Sequence, residues 1–422
     1  MSKINSYRNM QVGLSLHVCM ATTLMLFANV SVAANFGGPD AVENTIESDA
    51  ASKPAAVEER FLDGWFDWKS GLQKDQAISL GIDYTPVFLR SSENGASGDN
   101  SASSGMVRFF GSWDLVSRGT KDTGAVVWKV EHRHKYTDVA PQSFGFDQGY
   151  IGLIEPPFSD EGGRWTNFYW RQRLNGGNAT VLAGLLDVTD FLNLYSLTSP
   201  WTGFMNFAFS TGSQTMFIPN DATTGLAGAT MLNDNIYVMA SIANAYTDPT
   251  KPLDTFSDFF SEREYFTSFE LGWAPSKDMI FFENAHLTYW HVDESVPAAT
   301  PGGWGLAFNY SKSLNDNTLK PFVRGGYAKD GGTLMQKSLG AGFGYNTFGG
   351  RDELGVGVNW GQPNENSFGP NLDDQYVIET YYRYQLTQQL AITPDVQLLI
   401  DPAQNPNHDR LWVFGLRARL AL

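Results

Sequence analysis

Leu411-Trp412-Val413-Phe414-Gly415-Leu416-Arg417-Ala418-Arg419-Leu420-Ala421-Leu422 closes the chain. Laid out as a strand, it puts Trp412, Phe414, Leu416, Ala418, Leu420 and Leu422 on one side and Arg417 and Arg419 on the other. Successive side chains of a strand point to opposite faces, so a period of two means one apolar and one polar face. The apolar side here is continuous to the last residue.

The same period runs back through the chain. Ile378, Thr380, Tyr382, Tyr384 and Leu386 oppose Glu379, Tyr381, Arg383 and Gln385. Phe269, Leu271 and Trp273 oppose Ser268 and Glu270, and Phe168 and Trp170 oppose Arg171 and Arg173. Val126, Trp128 and Val130 oppose Lys129, Glu131 and Arg133. Val107, Phe109, Gly111, Trp113 and Leu115 oppose Arg108, Ser112 and Asp114, while Leu80, Ile82, Tyr84, Pro86 and Phe88 share one side. The pattern predicts sixteen strands, over 79–90, 105–117, 125–136, 166–174, 179–187, 222–232, 235–245, 263–274, 285–293, 303–313, 319–328, 337–347, 353–361, 374–386, 390–400 and 410–422.

Alternation alone also describes a soluble sandwich with one wet face. The connections separate the two. Long segments follow the first, third, fifth and seventh strands: Ser91–Ser104, Thr137–Trp165, Val188–Asp221 and Tyr246–Glu262. Tight turns lie on the opposite rim: Arg118–Gly124, Asn175–Asn178, Asn233–Asp234, Leu314–Asn317 and Thr387–Gln389. Long loops on one rim and short turns on the other are the habit of transmembrane barrels. Hydrocarbon leaves no unpaired backbone group tolerable, so a membrane sheet closes on itself. About sixteen strands make a cylinder wide enough for an aqueous lumen. A charge on the lipid side would cost roughly 2–4 kcal/mol near the midplane, so the charged side faces the lumen.

What precedes the barrel fits export. Lys3 and Arg8 begin a basic start, an apolar core runs from Val12 to Val32, and Ser31-Val32-Ala33-Ala34 offers small residues for cleavage after Ala33 or Ala34. Residues 1–34 therefore read as a signal peptide. No Arg/Lys cluster follows to hold them as an anchor helix. Asn35 through Arg60 are small, polar and acidic and read as a flexible lead. Phe61, Trp65, Trp68 and Leu72 have helical spacing and predict a short amphipathic helix from Phe61 to Gln76. The domains expected are thus 1–34 as signal, 35–78 as a periplasmic lead with that helix, and 79–422 as an outer-membrane barrel.

The balance of charge is acidic. Removing residues 1–34 takes away two basic and no acidic residues and shifts the net charge from −16 to −18. That argues against nucleic acid, whose phosphates need a basic face. Cys19 is the only cysteine, so the exported chain has no thiolate metal site and no disulfide. No later stretch approaches the roughly 18–20 apolar residues of a membrane helix. Aromatic content of 14% and 42 glycines with negative mean hydropathy suit a barrel with one lipid face and one wet face.

The last third resembles the carbohydrate-selective porins of the OprB family. The segments that carry the resemblance are Leu287-Thr288-Tyr289-Trp290-His291-Val292-Asp293-Glu294, Pro321-Phe322-Val323-Arg324-Gly325-Gly326-Tyr327 and Gly355-Val356-Gly357-Val358-Asn359-Trp360-Gly361. The most specific is Asp374-Gln375-Tyr376-Val377-Ile378-Glu379-Thr380-Tyr381-Tyr382-Arg383-Tyr384-Gln385-Leu386-Thr387, continued by Leu390-Ala391-Ile392-Thr393-Pro394-Asp395-Val396-Gln397 and Gly415-Leu416-Arg417-Ala418-Arg419. Trp201-Thr202-Gly203-Phe204-Met205-Asn206-Phe207-Ala208-Phe209 and Gly81-Ile82-Asp83-Tyr84 match more loosely. The family's usual Trp-Gly-Gly run before the first strand appears only as Gly64-Trp65-Phe66-Asp67-Trp68. The resemblance implies a sixteen-stranded porin that takes up glucose and related sugars.

A sugar pore needs a narrow place that exchanges hydration water for weak polar and aromatic contacts. Val188–Asp221, the longest connection, carries Phe191, Tyr195, Trp201, Phe204, Phe207 and Phe209, too many for a wet outer loop. It is expected to fold into the barrel and narrow it. The facing wall would present Arg108, Lys129, Glu131, Arg133, Arg171, Arg173, Glu379, Tyr381, Arg383, Arg417 and Arg419, from strands that become neighbours when the barrel closes. With Trp201 these are the candidate constriction residues; the alternative for each is a salt-bridge lattice that stiffens the wall. His132 and His134 share a face, read as outward at the upper rim, and suit an interface better than a metal. Gly340-Ala341-Gly342-Phe343-Gly344 lies in a strand pattern with no helix after it, so it relieves crowding and does not bind phosphate. No nucleophile elbow, phosphate loop, cofactor or metal site is expected. Expected partners are sugars, outer-membrane lipid and lipopolysaccharide, and the barrel-insertion machinery, with a homotrimer as one assembly. The competing functions are an anion-preferring or general pore, a barrel enzyme, and a barrel with a plugged lumen.

Overall fold

The computed structural model describes residues 36–58, 62–220, 222–248, 251–296 and 298–422. The expected signal over residues 1–34 lies outside these, as do Arg60, Phe61 and Asp221. From Ile78 the chain runs as sixteen antiparallel strands: β1 Ile78–Ser91, β2 Ser101–Val116, β3 Gly124–Lys135, β4 Gly162–Leu174, β5 Ala179–Leu186, β6 Thr223–Met231, β7 Ile236–Asn244 and β8 Tyr265–Trp273. They continue as β9 Asn284–Val292, β10 Gly303–Ser311, β11 Leu319–Asp330, β12 Met335–Thr347, β13 Asp352–Pro363, β14 Gln375–Gln385, β15 Leu390–Ile400 and β16 Arg410–Ala421. Each pairs with its sequence neighbour, and β1 pairs with β16 to close the cylinder, with Tyr84 opposite Leu420 and Val87 opposite Arg417. Every expected strand is present. Two begin four residues earlier than expected: Ser101–Ser104, read as loop, pair with β1, and β4 starts at Gly162 with a register shift opposite Lys129 and Val130.

The two faces divide as the period requires. Phe88, Phe109, Phe269, Leu287, Leu339, Phe414 and Leu416 point outward and are each more than a third exposed to the surroundings. A soluble molecule does not cover its whole waist with such residues. Arg108, Arg171, Arg324 and Arg417 point inward and are buried. The polar face therefore belongs to the bore and the apolar face to lipid.

The bore is not an open tube. The β5–β6 connection, from Asp187 to Asn220, folds inside and is buried over most of its length. The β3–β4 connection joins it: Glu155 N donates to Met205 O at 2.7 Å and Phe207 N to Leu153 O at 3.0 Å. Helix α1, Val42–Ala50, also packs among β1, β2 and β3. This corrects the expectation of a flexible lead. Phe36, Ala41 and Val42 are buried, and Asp40, Glu43 and Asp49 meet buried partners. The segment has too few apolar residues to signal a core element, and it is ordered by its carboxylates and not by an apolar stripe. The expected second helix is α2, Asp63–Gln76, which ends at Ala77 in a left-handed conformation (φ 59°) and turns directly into β1.

Candidate functional site

The inward loop is held by side chains from distant strands. The Glu379 carboxylate of β14 accepts from Met205 N at 2.5 Å and Asn206 N at 3.0 Å. Asn206 Nδ2 donates to Gln397 Oε1 of β15 at 3.1 Å. On the other side, Asn193 N donates to Glu270 Oε2 at 2.9 Å, and Arg324 Nη2 donates to Asn193 Oδ1 at 2.8 Å. Arg324 Nε reaches Ser213 Oγ at 2.8 Å, and Trp290 Nε1 donates to Thr215 O at 3.1 Å. A buried backbone group must find a partner, so these wall residues supply what an irregular loop cannot supply for itself.

Glycine makes the space. A Cβ on Gly326 would fall 2.1 Å from Thr215 Oγ1, one on Gly344 2.9 Å from Leu197 Cδ2, and one on Gly357 2.7 Å from Phe209 Cε1. The glycine run at 340–344 is thus part of β12, as expected, and relieves crowding. Against this wall the loop's Tyr195, Trp201, Phe204 and Phe209 join Phe144, Tyr150 and Phe158 of the β3–β4 connection and Val87, Phe322, Val377 and Leu411 of the wall in one apolar cluster. Phe204 packs at a tilt on Phe209, with ring centres 4.5 Å apart, and meets Tyr381 edge-on at 5.1 Å.

The expected ladder of charge is present, and each member has a protein partner. Arg108 and Arg419 share the Asp83 carboxylate: Arg108 Nε lies 2.9 Å and Arg419 Nη2 2.7 Å from it. Arg419 also makes a two-point pair with Asp49 of α1, at 2.8 and 2.7 Å. The Arg108 guanidinium lies 3.7 Å from the centre of the Trp201 ring. Lys129 Nζ is 3.2 Å from Asp190 of the loop. Arg133 donates to Glu131 at 2.6 Å. Arg171 meets Asp114 at 2.7 Å and Glu43 at 3.2 Å, and Arg173 meets Glu43 at 3.1 Å. Tyr381 donates to Glu353 at 2.8 Å, with Arg383 3.9 Å from the same carboxylate. Arg417 binds Glu155 at 2.9 Å and the loop carbonyls of Pro200 and Gly203 at 2.6 and 2.8 Å.

The sequence reading had the basic members and Glu131, and missed the other acids that pair with them. Asp83 and Glu353 sit at inward positions of their strands, so the period of two marks them; Arg324 is marked in the same way. Asp190 lies in a loop, and Asp40, Glu43 and Asp49 lie in the lead, where no such signal exists. Burial pushes the Asp40 and Asp190 carboxyls above their ordinary range, against the pull of Ser199 and Lys129 respectively.

Across the bore from the glycine wall lies a narrow cleft. Phe36, Gly37, Ala41 and Glu43 of the lead form one side, Asp187, Asp190 and Phe191 of the loop another, and Tyr169, Arg171, Thr180, Leu182, Ala227 and Ala229 the wall. The cleft sets aromatic rings beside carboxylates and an arginine, the combination that covers apolar C–H faces while serving hydroxyls. His132 and His134 lie elsewhere, on the outward face as expected, with rings 5.5 Å apart; Tyr136 touches His134 Nε2 at 3.0 Å. Among the described residues no group of three or more His, Cys, Asp or Glu could hold a metal.

Comparison with known proteins follows the same lines. The model of a family described as carbohydrate-selective porin, OprB family, matches residues 282–422, which hold β9 to β16. Among solved structures, the high-pH structure of Pseudomonas putida OprB aligns with a TM-score of 0.66 at 15% identity, over 85% of this chain and 97% of that one. A mutant of Rh. blastica porin aligns with a TM-score of 0.50 at 12% identity, over 82% of this chain and 100% of that one. These likenesses show the fold, a sixteen-stranded barrel of porin type. No curated protein sequence matches the chain.

Proposed function

We propose that this barrel, whose last third matches the carbohydrate-selective porins, is an outer-membrane porin that lets small sugars diffuse into the periplasm, glucose-like monosaccharides among them. The observation that carries the reading is the cleft between loop, lead and wall, inside a cylinder whose outer face is apolar. A passing sugar would lay its C–H face on Tyr169 or Phe191 and exchange hydroxyl contacts with Glu43, Asp187 and Arg171. Such contacts are weak and several, as conduction requires. Arg171 and Arg173 then belong to the route itself. Arg108, Lys129, Glu131, Arg133, Trp201, Glu379, Tyr381, Arg383, Arg417 and Arg419 set its width by fixing the loops. The paired state of the arginines speaks against a strongly anion-preferring pore, because their field is cancelled at close range. The porin fold and the match of the last third to carbohydrate-selective porins support a channel over an enzyme.

Lodging of α1 in the bore favours a second reading, a resting state of low conductance relieved when the lead moves. Swelling of liposomes carrying the purified protein tests both. Glucose should enter faster than a neutral disaccharide and much faster than into protein-free liposomes. Equal rates for sugars and for salts of similar size would sink carbohydrate selectivity. Swelling only after deletion of residues 36–50 would establish the second reading over the first.

A further inference from the structure

We propose that helix α4, Asp254–Ser261 in the β7–β8 connection, is a membrane-interface clasp that inserts Leu253, Phe256 and Phe260 into the acyl-chain region of the outer leaflet. The connection joins two strands at the long-loop rim, yet α4 does not rise from it. It folds back over the outside of the wall. Thr224, Asn244 and Tyr265 alternate with Leu226, Ile242 and Thr267 on the outward face, and each is tied to α4. Thr224 and Thr255 share a hydroxyl–hydroxyl bond, Asn244 Nδ2 donates to Thr255 O at 2.8 Å, and the Tyr265 hydroxyl donates to Phe259 O at 2.8 Å. Without the helix, three polar side chains would face lipid unpaired, a costly arrangement.

The helix then presents its own apolar edge in their place. At 100° per residue, Thr255 and Phe259 face the wall, while Leu253, Phe256 and Phe260 fall together beside them and Asp254 and Asp258 on the opposite edge. Leu253 is 74% and Phe260 72% exposed, on a helix that already touches the lipid-facing surface. An apolar edge next to hydrocarbon, with acids turned away from it, is the geometry of a helix lying in the interface plane. Continuity with the exposed Leu226 of β6 identifies the occupant as lipid acyl chains.

The inference rests on the membrane reading above, and its test separates the two. Cys19 is the only cysteine, so single-cysteine variants in a Cys19→Ser background take one spin label each. Phe260→Cys, Leu253→Cys, Asp254→Cys and Leu226→Cys would be reconstituted in phosphatidylcholine–phosphatidylglycerol vesicles and probed by collision with oxygen and with a water-soluble nickel chelate. Labels at 260 and 253 should favour oxygen several-fold, as the wall label at 226 does, and the label at 254 should favour nickel. Nickel-accessible labels at 260 and 253 beside an oxygen-accessible 226 would overturn the clasp alone. Labels at 260 and 253 shielded from both reagents would overturn it in favour of a protein partner, a second copy included. A nickel-accessible 226 would overturn the membrane reading and the clasp with it.

Discussion

The two sides of the bore are built from the same alternating strands and end in opposite states. On the β11–β16 side, glycines at inward positions let the loop press its rings against the wall, and the contact is buried. On the β4–β7 side the inward positions carry Tyr169, Arg171, Thr180 and two alanines, and a cleft remains. The inward side chains there are bulkier than the glycines opposite. Glu43 bridges Arg171 and Arg173 and Lys129 holds Asp190, so lead and loop meet this wall through ion pairs and not through packed rings. Inward glycine lets rings pack on the wall itself, whereas longer inward side chains hold lead and loop away from it at the length of an ion pair.

The comparison is broken most severely by Glu379→Ala. It leaves the Met205 and Asn206 amides buried without their acceptor, which costs about 3 kcal/mol at roughly 1–3 kcal/mol per orphaned group. The urea midpoint of the folded barrel should fall, and conductance should become noisier as the loop loosens. Gly357→Leu attacks the same side by crowding Phe204 and Phe209 and should cost about 1–3 kcal/mol; a matching fall in conductance would show the loop pushed into the cleft's side of the bore.

On the charged side, the double variant Glu43→Gln, Asp49→Asn uncovers Arg171, Arg173 and Arg419. Planar-bilayer reversal potentials should shift towards anions, and conductance should rise as α1 detaches. An unchanged potential would mean that these arginines do not border the route. Phe191→Ala removes one aromatic face of the cleft without touching an ion pair. Block of single-channel current by glucose should weaken about fivefold, for a loss near 1 kcal/mol, and removal of a buried ring should also lower the urea midpoint.

The smallest effect is one of pH. Burial holds the Lys53 amine down to about 8, partly offset by Asp49. Between that value and its unfolded value near 10.5 the unfolded chain binds the extra proton. Stability in urea should therefore rise slightly with pH across that window, and Lys53→Met should reduce the increment.

Strand number, closure, face assignment and the inward loop were legible because a membrane enforces a strict period of two and punishes exceptions. Arg417 shows it: its parity with Arg419 told which way it points. What it binds was not legible, because Glu155, Pro200 and Gly203 lie in connections where no period operates. The lead failed for the same reason. Asp40, Glu43 and Asp49 look like a solvated acidic tail until three-dimensional neighbours are known, and only the long-range arrangement of the wall supplies cations to receive them.

Asp83 belongs to the first strand and Arg419 to the last, and Asp49 joins them from ahead of both. This three-way contact cannot exist in a sheet that is still open, since its members are then separated by the whole unrolled width. Its formation coincides with the zipping of the final seam, so the leading segment is locked in place only when the cylinder is complete.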